Sequence, residues 1–517
     1  MNGIFKSTIY LMVATIISKV LGFARELVLA SNYGTSMYSD AYLIASSIPG
    51  ILFATIGFAV STTFIPIYNE IESNDSLNSN VFTNNVTNIV IIISTIVTIV
   101  AIIFTDPLVK IFAFGFKGEV FDITVNFTKI MLIGIVFMGL SNIATSFLQI
   151  KNNFIIPGLV SVPYSIIIII SIIISSISTP YILPIGMLLA TLSKFLFQLP
   201  FLFKSGYKYK LYLNLKDIYL KKMGWLIVPV FIGVAVNQIN AIVDRTLASN
   251  LAEGTISALN YANRLNDFVI ALFVTSIASV LYPMLSKLAV EDNQNELIKT
   301  IVQSINSVIL LMIPVSIGSI MLSNPIVKIL FQRGVFDSNA TNMTSVALAY
   351  YSIGMIGFGL RDILGKVFYS LQDTKTPMIN GAIAMGLNIV LNLILVKFMG
   401  YAGLAFATSI SSIICIFLLL NSLKKKIGYY GQDKIIKTTI KSLIASIVMG
   451  FVTYFIYSIL SNNLGIGFIS NLISLFGAIS VGAIVYGILI TIFKVEEVNI
   501  ITDIIKNKIL LKCKNKN

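Results

Sequence analysis

The chain has no histidine, one tryptophan and two cysteines in 517 residues, and only 11% of it is charged. Without histidine, an imidazole metal site, a histidine proton relay and a histidine-based catalytic triad are all excluded. Cys415 lies inside an apolar run and Cys513 in a basic tail, so neither a disulfide framework nor a metal-ligand spacing is available. A soluble protein of this length carries about 25% charged residues. Here no polar stretch exceeds a loop, which leaves no large soluble domain. No cleavable leader is expected, because the first apolar run continues into Lys19 and Arg25 rather than ending at a small-residue cleavage site.

What fills the chain is apolar sequence: 56% of residues are hydrophobic and the mean hydropathy is +0.90. Near-continuous runs such as 89–104 and 164–177 have the length and continuity of helical spans, not the alternation of barrel strands. The expected fold is therefore an all-α polytopic membrane protein of about fourteen transmembrane helices. The spans read as 5–33, 40–67, 86–104, 121–150, 154–177, 181–203, 223–250, 255–285, 298–322, 340–371, 377–396, 400–420, 438–460 and 465–493.

The net charge of +14 sits mainly between these runs. Lys204, Lys208, Lys210, Lys216, Lys221 and Lys222 form one cluster, 424–441 holds a second, and the tail from 506 to 516 a third. Such clusters set topology next to an anionic leaflet and do not point to nucleic acid. An even span count places both termini on the side of these clusters, the cytoplasmic side of a bacterial inner membrane. The acidic segment 69–80, with Glu70, Glu72 and Asp75 and no lysine, is expected as a loop on that same side.

Short motifs recur at an offset of about 220 residues. Leu29-Ala30-Ser31-Asn32 returns as Leu247-Ala248-Ser249-Asn250, and Gly34-Thr35 as Gly254-Thr255. Phe64-Ile65-Pro66 is matched by Leu281-Tyr282-Pro283, and Leu148-Gln149 by Leu371-Gln372. A six-span unit duplicated in one orientation is a parallel repeat, the plan of transporters whose halves rock about a central cavity. The expected organisation is a six-helix lobe over 1–203, a basic cytoplasmic loop over 204–222 and a second six-helix lobe over 223–421. A basic loop over 422–437, two further helices over 438–494 and a basic tail over 495–517 follow.

Ionisable residues at membrane depth are costly, by at least about 2.5–3.5 kcal/mol each, and so are candidates for function. Span one carries Lys19, Arg25 and Glu26, span two opens with Asp40, and span seven has Asp244 and Arg245. Span eight has Arg264 and Asp267, and span ten has Arg361, Asp362 and Lys366. Each has a structural alternative: Arg25 and Glu26 could snorkel, Asp40 suits a helix N-terminus, and Asp362 and Lys366 could pair at i,i+4. Arg25 and Arg264 fall in the opening helix pairs of the two repeats, and two guanidinium groups can grip a pyrophosphate bidentately. A second constellation comprises Asn388 and Asn392 on one face of span eleven, Thr408 on span twelve and Asp244 on span seven. Its oxygens suit a hard monovalent cation, or else the asparagines join neighbouring helices.

The motifs Ser18-Lys19-Val20-Leu21-Gly22-Phe23-Ala24-Arg25-Glu26 with Ser39-Asp40-Ala41-Tyr42, Asn260-Tyr261-Ala262-Asn263-Arg264-Leu265, Phe331-Gln332-Arg333-Gly334-Val335-Phe336, and Phe368-Tyr369-Ser370-Leu371-Gln372-Asp373-Thr374-Lys375-Thr376-Pro377 stand out next. Together they resemble the MurJ (MviN) family of lipid II flippases. The resemblance spans essentially the whole chain. It implies a member of the multidrug/oligosaccharidyl-lipid/polysaccharide exporter superfamily that moves an undecaprenyl-pyrophosphate-linked glycopeptide from the inner to the outer leaflet. It places cavity arginines at Arg25 and Arg264 and a functional acidic position at Asp40. Lys19 stands where the family has arginine. A sodium site, described in part of the family, would fall on Asp244, Asn388, Asn392, Thr408 and the backbone of Leu404, with Asn392 in place of a carboxylate found in some members. Many members also have an arginine pair after the proline of span two, whereas Pro49 here is followed by Gly50-Ile51-Leu52-Phe53-Ala54.

The leading expectation is thus a non-enzymatic flippase working by alternating access, acting as a monomer. Arg25, Arg264 and Lys19, with Asp40 and Glu26, would line its binding site. Its partners would be the lipid-linked glycopeptide, membrane lipids and other cell-wall synthesis proteins, with no nucleic acid and no cofactor beyond a sodium ion. Rival readings are a flippase for another lipid-linked oligosaccharide, a cation-coupled drug exporter of the same superfamily and a nontransporting membrane scaffold.

Overall fold

The structure, a computed structural model, describes residues 2–74, 76–291, 293–465 and 467–497. Asp75, Cys513 and the basic cluster at 506–516 lie outside the described residues. The regular elements among these residues are all helices. Before the first basic loop come α1 (Asn2–Tyr33), α2 (Met37–Asn74), α3 (Ser76–Ile103), α4 (Thr105–Phe112) and α5 (Glu119–Leu132). α6 (Gly134–Ile150), α7 (Ile155–Leu159), α8 (Ser161–Ile177) and α9 (Ile182–Lys204) complete that part. Next are α10 (Ile218–Ser249), α11 (Thr255–Val290), α12 (Gln294–Met321), α13 (Ser323–Phe331) and α14 (Ser338–Ile353). The chain closes with α15 (Met355–Ser370), α16 (Lys375–Met399), α17 (Tyr401–Ile427), α18 (Gln432–Leu464) and α19 (Phe468–Ile492).

Among the described residues, nine helical stretches are long and apolar enough to cross a membrane. They become ten if α14 and α15, bent by 43° at their junction, count as one. Helices α1, α2, α10 and α11, at 32, 38, 32 and 36 residues, also exceed the roughly 20 residues a bilayer core requires. The segment 69–80 is not the loop expected from its polarity. Helix α2 runs through Asn74 and α3 begins at Ser76, so the helical hairpin extends past the apolar core. Two of its acidic residues are neutralised by lysines: Lys222 reaches Glu70 at 2.6 Å, and Lys151 pairs with Glu72.

The chain divides into two compact units. Unit 1 comprises residues 1–257 with 333–340, and unit 2 comprises 258–332 with 341–517. In unit 1, α2 packs against α5, α6 and α10, α1 against α8, and α9 against α6 and α8. Its largest aromatic knot joins Phe64, Tyr68, Phe82 and Phe147, all at most 2% exposed. In unit 2, α12 packs on α15 and α18, α17 on α15 and α16, and α18 on α19. Ile305, Met312, Leu364 and Phe368 form the centre of that core.

The duplication is visible in backbone geometry within each unit. After α6, Asn152 adopts φ 59°, and Asn153 N–H donates to the Leu148 carbonyl at 2.8 Å. After α15, Gln372 adopts φ 55°, and Asp373 N–H donates to the Phe368 carbonyl at 2.9 Å. Asn153 and Asp373 then cap the next helix, accepting from Ile156 N–H and Thr376 N–H. The structural equivalents are therefore Leu148 and Phe368, one turn away from the Leu148–Leu371 match suggested by the shared Leu-Gln pair. Two short helices that the span reading did not separate are also copies. α4 carries Pro107-Leu108-Val109-Lys110-Ile111 and α13 carries Pro325-Ile326-Val327-Lys328-Ile329.

Candidate functional site

In unit 1 a charged cluster forms where α1 meets α8. Arg25, the 24th residue of the long apolar helix α1, cannot leave its guanidinium bare at that depth without large cost. Its Nη2 donates to Glu26 Oε1 at 2.9 Å, and the Glu26 side chain is only 5% exposed. The Arg25 guanidinium also lies 5.7 Å from the centroid of the Tyr164 ring on α8. Lys194 of α9 places its ammonium 3.9 Å from that same centroid. One ring thus lies near two cations, each drawn to it by cation–π attraction. The Tyr164 hydroxyl donates to Met187 Sδ at 3.1 Å, which fixes the ring edge. The formal charge of Arg25, Lys194 and Glu26 together is +1.

Sequence reading named Arg25 and Glu26 but not Lys194. The signal was there, since Lys194 is a lone lysine inside the sixth apolar run, but it lacks the neighbouring charges that drew attention to the other spans. Lys19, also named, stands exposed among the exposed Ile16, Ile17 and Val20.

Asp40 is buried, at 3% exposure, and serves a different geometry. Its Oδ2 accepts from Gly254 N–H at 2.8 Å, and its Oδ1 accepts from Ser257 N–H at 2.8 Å and from the Ser257 hydroxyl. The carboxylate therefore caps the N-terminus of α11, where free N–H groups and the helix dipole favour negative charge. Glu253 adds a second tie, accepting from Met37 N–H at 2.7 Å.

Around this cap the repeated Leu-Ala-Ser-Asn motif acquires a role. Ser249, at the end of α10, accepts on Oγ from Gly115 N–H at 3.0 Å, and Ser31, near the end of α1, accepts on its carbonyl from Val335 N–H at 3.0 Å. Each repeat's serine therefore receives the loop that follows the other repeat's short helix. Any Cβ at Gly115 or at Gly334 (φ +60°) would collide with the Ser249 or Ser31 carbonyl. Both contacts lie within unit 1.

In unit 2, Arg264 pairs with Asp267 at 3.8 Å, both about half exposed. Lys366 pairs with Asp362 at 3.8 Å, the i,i+4 alternative weighed above. The four unit 2 positions of the sodium constellation form a ladder between α16 and α17. Asn392 donates to Asn388 at 3.1 Å, Asn388 to Thr408 Oγ1 at 3.4 Å, and Thr408 to the Leu404 carbonyl at 3.0 Å. Asp244, in unit 1, accepts from Asn240 at 3.3 Å. The ladder supplies neutral oxygens of the kind a sodium ion takes, and its hydrogen bonds also join α16 to α17 as helix–helix glue does. Among the described residues no group of three or more His, Cys, Asp or Glu side chains could hold a metal ion.

The family model described as lipid II flippase MurJ matches residues 29–475 of the chain. A probable lipid II flippase MurJ of Vibrio cholerae is 32% identical over 465 residues, covering 86% of this chain and 88% of its own. That of Buchnera aphidicola subsp. Schizaphis graminum is 34% identical over 500 residues, covering 94% and 96%. Among solved structures, a lipid II flippase MurJ in an inward closed conformation aligns with a TM-score of 0.80 at 29% identity, over 94% of this chain and 98% of that one. An inward-facing multidrug resistance MATE transporter of the MOP superfamily aligns with a TM-score of 0.69 over 82% of this chain and 99% of its own. At 16% identity that likeness is one of fold.

Proposed function

The chain belongs to the MurJ family of lipid II flippases, and on that footing we propose how it moves its cargo. It translocates lipid II, the undecaprenyl-pyrophosphate-linked peptidoglycan precursor, from the inner to the outer leaflet by alternating access between two six-helix lobes, 1–203 and 223–421. Arg25, with Lys194 beside it, and Arg264 are the cations that hold the pyrophosphate. A polyprenyl tail stays in lipid, beside α18 and α19. The protein sits in the bacterial cytoplasmic membrane with both termini and the basic loops 204–222 and 422–437 inside, works as a monomer and meets other cell-wall enzymes there.

The observation carrying this reading is the Arg25–Tyr164–Lys194 cluster. It leaves a net positive charge among three apolar helices, α1, α8 and α9, which an anionic cargo satisfies and a cationic drug does not. Membrane potential drives the step, with a sodium ion at Asp244 and the Asn388–Asn392–Thr408–Leu404 ladder as a second source of coupling. The test is transport of labelled lipid II in proteoliposomes with and without sodium, alongside rescue of a flippase-depleted strain. Arg25→Ala and Arg264→Ala should insert normally and fail both assays. Full activity in both variants would overturn the assignment.

A further inference from the structure

The segment from Lys204 to Asp217 has no regular structure beyond the end of α9, yet it is firmly placed. Three asparagines on α3 hold its backbone: Asn84 donates to the Lys208 carbonyl at 2.9 Å, and Asn88 to that of Tyr212 at 2.9 Å. Asn85 closes a two-way bond with the Asn214 backbone at 2.8 and 2.9 Å. The strap turns three leucines outward, Leu211, Leu213 and Leu215, at 86%, 52% and 67% exposure. Flanking them are the exposed Lys204, Lys208, Lys210 and Lys216. Leucines bared in this way favour an apolar medium, while the lysines favour its charged boundary.

Beside this strap a cavity of about 280 Å³ opens between α3, α6 and α9. Ile91, Leu140, Phe147, Phe195 and Leu199 line it, and the half-exposed Phe203 and Tyr209 lie at its edge. Its few polar groups are already engaged. Thr83 and Thr87 donate to their own helix carbonyls at 2.8 and 2.7 Å, and the Tyr209 hydroxyl donates to Asn88 at 2.8 Å. The space would hold about nine waters at bulk density, with nothing to hydrogen-bond them. A hydrocarbon chain suits it.

We infer that this cavity and its strap form a binding site for one anionic phospholipid. An acyl chain fills the cavity between α3, α6 and α9, and the head-group phosphate meets Lys204, Lys208 and Lys210, which neighbour the lining residues Phe203, Tyr207 and Tyr209 in sequence. The site is built wholly from unit 1 and is separate from the Arg25 cluster, so it stands whether or not the flippase mechanism above holds.

The test is native mass spectrometry of the full-length protein in detergent with phosphatidylglycerol, with phosphatidylcholine of the same chains, or with undecaprenyl phosphate. One phosphatidylglycerol should be retained in preference to phosphatidylcholine. Each lysine-to-glutamine change at 204, 208 or 210 should weaken that preference about fivefold, the effect of one cation near an anionic head group. Ala144→Phe, which fills the cavity, should abolish retention with the lysines intact; the thermal transition of each variant reports that it is folded. Equal retention of the two phospholipids by the unmodified protein would overturn the site. So would displacement of phosphatidylglycerol by equimolar undecaprenyl phosphate, which would reassign the cavity to the cargo's tail.

Discussion

Lys194 sets its ammonium 3.9 Å from the centre of the Tyr164 ring, on which the Arg25 guanidinium also rests at 5.7 Å. Two like charges tolerate such proximity only where an aromatic face and a carboxylate offset them, here Tyr164 and Glu26. An arriving pyrophosphate would replace that offset with direct contact to both cations. Lys194→Met should therefore lower lipid II transport by about 5- to 30-fold, the equivalent of about 1–2 kcal/mol, and Lys194→Arg should restore most of it. Tyr164→Phe should be mild and Tyr164→Leu should resemble Lys194→Met. Initial transport rates in proteoliposomes at matched protein density decide the point.

The contact of Ser31 with Val335 offers a lock. Their backbones join at 3.0 Å, close enough for a disulfide once both positions carry cysteine. In a background with Cys415 and Cys513 replaced by serine, Ser31→Cys with Val335→Cys should cross-link under oxidation and stop transport. A reductant should restore it. Unchanged transport by the cross-linked protein would show that this contact does not open during the cycle.

These devices were unevenly legible. The Leu-Ala-Ser-Asn pair and the glycines Gly34 and Gly254 announced a duplication because residues that end a helix and turn the chain are restricted in type. Arg25 and Glu26 stood out because adjacent charges in an apolar run are rare. Lys194 was passed over because a single cation in a span carries no pattern of its own; its meaning comes from Tyr164, thirty residues away on another helix. α4 and α13 went unnoticed since each is barely two turns long and sits at the end of a longer apolar run. The turn register was misread because Leu-Gln recurs by chance one turn from the true equivalence, which only the positive φ of Asn152 and Gln372 reveals. Asp40 drew notice as a charge, but its three donors come from residues 254 and 257, a pairing of distant segments that spacing does not disclose.

That pairing makes Asp40 a positioning residue for the first turn of α11. Removing the carboxylate strands the Gly254 and Ser257 N–H groups in a buried place, at about 1–3 kcal/mol. Asp40→Ala should lower the thermal transition and shift accessibility of a cysteine at position 253 toward the reactive state, while the affinity for lipid II changes less than the transport rate. Asp40→Asn, which keeps an acceptor but loses the charge, should fall between. If Asp40→Ala weakened binding as much as transport, a direct ligand role would be the better account.

The duplicated turn provides a pH experiment with an internal control. Asp373 accepts from Lys426 Nζ at 2.8 Å and from Thr376, and these hydrogen bonds hold its carboxyl at about 2, below the ordinary carboxylate value. A carboxyl depressed in the folded state stabilises above its unfolded pKa, and that contribution fades as pH falls toward the folded one. The stabilisation should thus be complete above about pH 5 and decline between about pH 4 and pH 2. Asp373→Asn should lower the thermal transition in detergent by a constant amount at neutral pH, with the gap closing below pH 4. At the equivalent position of the first repeat, Asn153 does the same capping without a charge, so Asn153→Asp should show how much of the effect needs a lysine partner. With no Lys426 counterpart bonded to it, that variant should gain little stability at neutral pH. A gain equal to the loss in Asp373→Asn would mean that the cap alone, and not the ion pair with Lys426, depresses the carboxyl.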